Sequence, residues 1–220
     1  MDAEQELILH IDPGSATIKL ESRSPEGSII TKRIGYNALV ECIKGSLQRE
    51  MVQSGLLPTG CISFDAGNDG WRYVAIEHPA RYANITYGNT VYPHFPLPRL
   101  VFRFGLHMGL RVQNCQMGVV AEGRLTPDTP MFHYPFSNVS GFHLCTGGNI
   151  LPECKSLHTL SSLPYLILEM PNNDDHFTSR NNRLKLGHRD LLEYMKDKDP
   201  DHYYEKVLIP SGRTLKDFLR

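Results

Sequence analysis

The sequence lacks any apolar run approaching the ~20 consecutive residues that a membrane-spanning helix needs. Its acidic start, MDAEQE, also lacks the basic and apolar character of a secretory leader. These absences predict a cytoplasmic protein. Cysteine is sparse: Cys42, Cys61, Cys115, Cys145 and Cys154 are odd in number and show no CxxC spacing. That argues against a disulfide scaffold and against a ribbon-type zinc site, and predicts reduced thiols. Ten histidines are scattered without HxH or HExxH, so no metal centre and no cofactor are expected. The formal net charge is −1 over 220 residues. With no surplus of one sign, nothing draws the chain towards nucleic acid or an anionic membrane, and a partner must be recognised by a local surface. Internal repeats and low-complexity tracts are missing as well.

What is present is 40% hydrophobic residues, enough for one globular domain with embellishments or a small appendage. Residues 7–34 read as three strands, Leu7–Ile11, Ala16–Glu21 and Ser28–Arg33, separated by the turn signals DPGS and SPEG. This gives a β-rich extension over residues 1–35, ahead of a main domain over 36–220. Asn37 can cap a helix whose Leu39, Ile43, Leu47 and Met51 recur at i+4, with Val40 widening the stripe. That face predicts packing on a sheet and an end near Gly55. Cys61–Asp65 and Trp71–Glu77 form a hairpin pattern around AGNDG. The Pro-rich segment Tyr92–Pro98 reads as a packed loop, followed by strands at Arg99–Phe104 and Leu110–Val120. Leu151–Met170 is apolar and broken by Pro164. A polar loop, PNNDDHF, a helix at Arg189–Lys196, a short strand at Lys206–Ile209, a turn at PSG and an amphipathic TLKDFL complete the chain. Without βαβ alternation this is an α+β pattern.

The stretch Met131–Asn149, MFHYPFSNVSGFHLCTGGN, mixes aromatic residues with Pro, Asn, Ser and Gly and reads as a packed irregular loop. If Phe142–Cys145 is extended, the period of two turns Phe142 and Leu144 to one side and His143 and Cys145 to the other. Gly147 and Gly148 follow, and they let another backbone approach the sulfur.

This stretch resembles the active-site segment of ubiquitin-conjugating enzymes, where a His-Pro-Asn signature precedes Gly-x-(Val/Ile)-Cys-Leu. Pro135 and Asn138 stand ahead of Gly141-Phe142-His143-Leu144-Cys145 in that way, and Pro171–Asp175, PNNDD, is similar to the family's Pro-Asn-Pro-Asp-Asp loop. Over Arg124–Cys145 the likeness is to the bacterial members called prokaryotic ubiquitin-conjugating family D, and the specific match spans residues 124–175. The chain departs from the pattern where Tyr134 precedes Pro135, where Phe136-Ser137 separates Pro135 from Asn138, and at Thr146 and Pro164.

The resemblance implies a ubiquitin-conjugating-enzyme-like antiparallel meander with flanking helices, preceded by the small N-terminal β extension. It implies an acyl transferase that takes a ubiquitin-like protein from a ThiF-like activating enzyme as a thioester on Cys145 and passes it to an amine. A JAB-type isopeptidase from the same cassette, and a role in phage (antiviral) defence or on plasmids, follow from the same likeness. No nucleic-acid or membrane partner is expected.

The residues themselves leave alternatives open. Cys145 is either a carrier thiol, needing exposure and a thiolate fraction, or a small buried hydrophobe. Asn138 is a candidate to stabilise charge on the thioester carbonyl during amine attack, or a turn residue bonding its own backbone. Asp174 and Asp175 are candidates to orient and deprotonate a lysine, or a solvated loop or helix cap. Cys154, in the polar PECKS, is the competing exposed thiol, while Cys42 and Cys115 read as core. Two other function classes remain. One is a Cys-His thiol hydrolase pairing Cys145 with His133, His158 or His188; the other is a catalytically idle domain that only binds a ubiquitin-like partner.

Overall fold

The computed structural model describes residues 6–24, 26–46, 54–67, 69–107 and 110–220. They divide into two compact units, Met1–Val52 and Gln53–Arg220. Both are built on antiparallel sheets, and helices are few and short. The protein is α+β.

In the first unit, β1 (Glu6–His10), β2 (Thr17–Arg23) and β3 (Ile29–Gly35) form a sheet in that order. The first turn falls at the expected DPGS segment, and at the second the Gly27 amide donates to the Ser24 carbonyl at 2.9 Å. Glu21 faces Arg23 at 3.0 Å and Lys19 at 3.5 Å along its own strand. The helix α1 (Tyr36–Ser46) belongs to this unit. Among the described residues the expected packing of its stripe on a sheet is not seen within this unit: Leu39 is half-buried, but Val40 and Ile43 are 46% and 48% exposed. The cause is the connection. β3 ends at Gly35 and the helix begins at Tyr36, so no loop exists to turn the helix back across the sheet face. Leu47 and Met51, and the expected helix end, lie outside the described residues. Cys42, expected in the core, is exposed for the same reason.

The second unit is organised around β8 (Leu100–His107), buried from Leu100 to Leu106. It pairs with β5 (Trp71–His78) on one side and β9 (Arg111–Val120) on the other. β4 (Cys61–Ala66) pairs with β5. Alternation along β8 decides which face each side chain serves. Leu100, Phe102, Phe104 and Leu106 join the main core, while Val101 points to a smaller core with Ala75, Val120, Met131 and Phe142.

Between β5 and β8 the chain makes a separate two-stranded sheet, β6 (Arg81–Tyr87) and β7 (Thr90–Leu97). This corrects the expectation of a loop at Tyr92–Pro98. Among the described residues β7 pairs with β6 alone, and an edge strand tolerates the loss of the N–H groups that Pro93 and Pro96 lack. Phe95 and Leu97 anchor it in the main core.

After the thiol segment comes a 3₁₀ turn at Leu157–Ser162. It runs into α2 (Leu163–Leu168), whose first turn accommodates Pro164. The helix α3 (His188–Met195) buries His188, Leu191, Leu192 and Met195. At Lys206–Ile209 the expected strand is displaced. Tyr203–Val207 winds instead as a π-helical turn, because Tyr203 and Val207 are buried and the Tyr203 hydroxyl donates to the Pro96 carbonyl at 3.0 Å. The strand forms one step later, at Pro210–Thr214, where a turn was expected. The final helix, Leu215–Leu219, opens on a reciprocal cap between Thr214 and Asp217. No helix among the described residues is long and apolar enough to cross a membrane.

Candidate functional site

Around the thiol the chain is extended in short pieces. β10 (Pro130–Phe132) pairs with β9, and β11 (Val139–Ser140) and β12 (His143–Leu144) make a tight hairpin. Gly141, at φ 61°, is its first turn residue, a backbone conformation that disfavours a side chain. β12 also pairs with β9, and the Met117 amide donates to the Phe142 carbonyl at 2.8 Å. Because the segment is extended, Phe142 and Leu144 are buried while His143 is exposed and Cys145 half-buried. This is the alternation expected from the sequence, although the stretch is more regular than a loop.

Cys145 lines an open cleft of about 380 Å³ together with Arg111, Asn114, His143, Thr146 and Ile150. Among the described residues no group hydrogen-bonds its thiol. Its backbone is fixed, however. The Cys145 amide donates to the Asn138 carbonyl at 2.7 Å, and the Asn138 amide donates to the Asp175 carbonyl at 2.9 Å. Asn138 sits at φ 63°, a left-handed conformation that Asn tolerates better than most residues. Its side-chain amide is half-exposed and makes no hydrogen bond among the described residues.

The loop carrying Asp174 and Asp175 is tied at several points. Asn173 Oδ1 accepts the Asp175 amide at 2.8 Å, and its Nδ2 donates to Asp175 Oδ2 at 2.8 Å. The Asn172 amide donates to the Thr86 carbonyl at 2.7 Å, and buried Ser137 donates to Asn172 Oδ1 at 3.0 Å. Asp174 is 71% exposed, yet its Oδ1 accepts from the Tyr87 hydroxyl at 2.9 Å and pairs with His188 Nδ1 at 3.2 Å. The loop therefore bridges the β6–β7 hairpin and the segment ahead of the thiol. Burial holds His188 below the usual imidazole range against the raising effect of Asp174, and raises the Tyr87 phenol together with its bond to that carboxylate.

Cys145, Asn138 and Asp175 are thus joined through main-chain bonds, and Asp174 is the neighbouring residue. The histidines named as possible bases are engaged elsewhere. His133 stacks on Phe142, His158 Nδ1 lies 3.4 Å from the Leu57 carbonyl, and His188 holds Asp174. Cys154, expected to be an exposed rival thiol, is buried, with its sulfur 3.9 Å from the Pro152 carbonyl. The apolar neighbours of PECKS override its polar composition. Cys115 is buried as expected, and burial pushes its thiol far up. Among the described residues no group of three or more His, Cys, Asp or Glu side chains could hold a metal.

Sequence reasoning missed Tyr87, Ser137 and Asn172, and it saw His188 only as a possible partner of the thiol. No spacing in the chain flags them, since Tyr87 and Asp174 are 87 positions apart. Compared with known proteins, the chain matches no family model, no curated protein and no solved structure.

Proposed function

We propose that the chain is a ubiquitin-conjugating-like carrier. Cys145 accepts a ubiquitin-like protein from a ThiF-like activating enzyme and gives it to an amine. The observation that carries this reading is the hydrogen-bonded run from Cys145 through Asn138 to Asp175. It joins the three segments on which the resemblance rests, Asn138 and Asp175 being 37 positions apart in the chain. The antiparallel order β4-β5-β8-β9, with the thiol hairpin next and helices after it, supports reading the fold as a ubiquitin-conjugating-like meander.

The chemistry takes two steps. The Cys145 thiolate attacks the carbonyl of the donor thioester; a new C–S bond forms, the old one breaks, and the donor enzyme's thiolate leaves. A half-buried thiol on an open cleft suits this step, because two proteins must reach it. A neutral amine then attacks the carbonyl on Cys145. The C–S bond breaks, an amide forms, the amine's proton passes to a base, and the thiol is regenerated. Negative charge gathers on the carbonyl oxygen during this attack, the harder of the two for a neutral nucleophile, and the uncommitted amide of Asn138 is the donor suited to it. Asp174 and Asp175 supply the carboxylates that draw and orient a lysine. A preformed Cys-His couple gains no support, since no imidazole bonds the thiol.

The test is an adduct assay with activating enzyme, ATP and ubiquitin-like protein. Wild type forms a product lost on reduction. Cys145→Ser gives a reduction-resistant ester or none, and Cys154→Ser behaves as wild type because that sulfur is buried. A reducible product that persists in Cys145→Ser ends the assignment. Partner binding that survives Cys145→Ala, with no adduct in wild type, points to an idle docking domain.

A further inference from the structure

His188 is out of place as core packing. Its side chain is 1% exposed, stacked on Phe177 at 4.5 Å between ring centroids, with Tyr87 edge-on at 4.6 Å and Phe136 tilted at 6.0 Å. A phenylalanine or leucine fills such a space without penalty. The imidazole instead leaves Nε2 buried with no partner among the described residues, and a stranded buried polar atom is costly. What the imidazole gains is its hold on the 172–175 loop, at the Asp174 carboxylate and at the Asn173 main chain. Asp174 as a carboxylate only accepts, so Nδ1 carries the proton and donates to it at 3.2 Å. Tyr87 repeats the pattern from another element. Its hydroxyl reaches Oδ1 at 2.9 Å and Oδ2 at 3.1 Å, and Arg189 lies over its ring at 5.1 Å.

Two donors from two separate elements, one of them buried at a cost, thus converge on one exposed carboxylate. Resting on the carrier reading, we propose that His188 and Tyr87 are positioning residues for amine attack. By clamping Asp174 they hold the 172–175 loop in place, and through the Asp175 carbonyl they set where Asn138 stands relative to Cys145. The path is short: Asp174 to Asp175 in the chain, Asp175 carbonyl to Asn138 amide at 2.9 Å, Asn138 carbonyl to Cys145 amide at 2.7 Å. Neither residue touches the reacting atoms. Releasing the clamp lets Asn138 move by fractions of an ångström to an ångström, a misplacement that costs catalysis roughly ten- to a hundredfold.

The experiment has two arms on the full chain, comparing wild type, Tyr87→Phe, His188→Leu and His188→Asn. The asparagine amide offers a donor close to the position of Nδ1; leucine offers none. The first arm is amide hydrogen exchange. Asn138 exchanges at least about tenfold faster in Tyr87→Phe and His188→Leu, β8 and β9 amides stay as in wild type, and His188→Asn restores Asn138 protection. In the second arm Cys145 is acylated by the acetyl-glycine thioester of mercaptoethanesulfonate, and loss of the acyl group to free lysine is followed by intact mass. Discharge, taken relative to charging, falls roughly ten- to a hundredfold in the first two variants and recovers in His188→Asn.

Unchanged Asn138 exchange in Tyr87→Phe and His188→Leu overturns the clamp. So does uniform loosening of β8 and β9, or failure of asparagine to rescue, because each reduces His188 to packing. If wild type itself neither charges nor discharges with this probe, the carrier reading is what fails, and the exchange arm still decides the clamp.

Discussion

Replacing Asn138 separates what its side chain does from what its backbone requires. At φ 63° the residue pays for a left-handed conformation, which costs glycine nothing and alanine about 1–2 kcal/mol. Its side-chain amide makes no hydrogen bond among the described residues, and in the proposed carrier mechanism it is the group that meets the developing oxyanion. Such a donor is worth about 3 kcal/mol, or roughly a hundredfold in rate. Asn138→Gly therefore keeps the backbone and loses the amide. Discharge of acylated Cys145 to lysine should slow by about a hundredfold, while the thermal midpoint barely moves. Asn138→Ala should show the same kinetic loss and, from added strain, a midpoint lower by roughly 2–8 °C for a unit of this size. The assay pairs single-turnover discharge, read by intact mass, with thermal melts of the same samples. Wild-type discharge by Asn138→Gly, with slow discharge by Asn138→Ala, would refute the reasoning, since the residue would then matter only for loop shape.

Two further outcomes follow from packing and burial. His78 and His188 are both held below the usual imidazole value of about 6.5, chiefly by burial, with Arg81 adding to the effect at His78 and Asp174 opposing it at His188. The unfolded chain thus binds more protons just below that pH, so their contribution to stability is complete above about 6.5 and is lost as pH falls through the lower folded values. Thermal midpoints should drop on acidification, and the drop should be shallower in His188→Leu; equal slopes would count against it. Gly118→Ala would place a methyl 2.8 Å from the Phe142 ring and 2.9 Å from Met131 Cε. It should cost about 1–3 kcal/mol and alter the iodoacetamide reactivity of Cys145 by shifting the hairpin turn. An unchanged midpoint would show that the second core yields more easily than its contacts imply.

What the sequence made legible is what short range decides. The alternation at Phe142–Cys145 follows from a period of two residues, the strand expected at Arg99–Phe104 lies almost wholly within Leu100–His107, and Gly141 marks a turn by its backbone alone. Pairing across long separations was hidden. Nothing local says that Pro93 and Pro96 lie on an edge strand, because that depends on β6 lying on one side of β7 and no strand on the other. Cys42 and Cys154 were misjudged for a related reason: a polar neighbourhood or a helical stripe reports the side chain's company in sequence, whereas exposure depends on what folds over it. The convergence of Tyr87 and His188 on Asp174 was hidden because the carboxylate is 87 and 14 residues away from them.

The smaller core has a consequence for the order in which the molecule can be assembled. Phe142, the turn residue of the thiol hairpin, is covered edge-on by Phe218 at 5.1 Å, and the strand Pro210–Thr214 pairs with β10 just ahead of that hairpin. Contacts spanning such lengths of chain form late, after the loop-closure entropy has been met by the central sheet. During synthesis the hairpin therefore stays uncovered on that face until residues 210–219 have emerged. The hairpin that carries Cys145 is thus completed only once the chain some seventy residues downstream of it has packed.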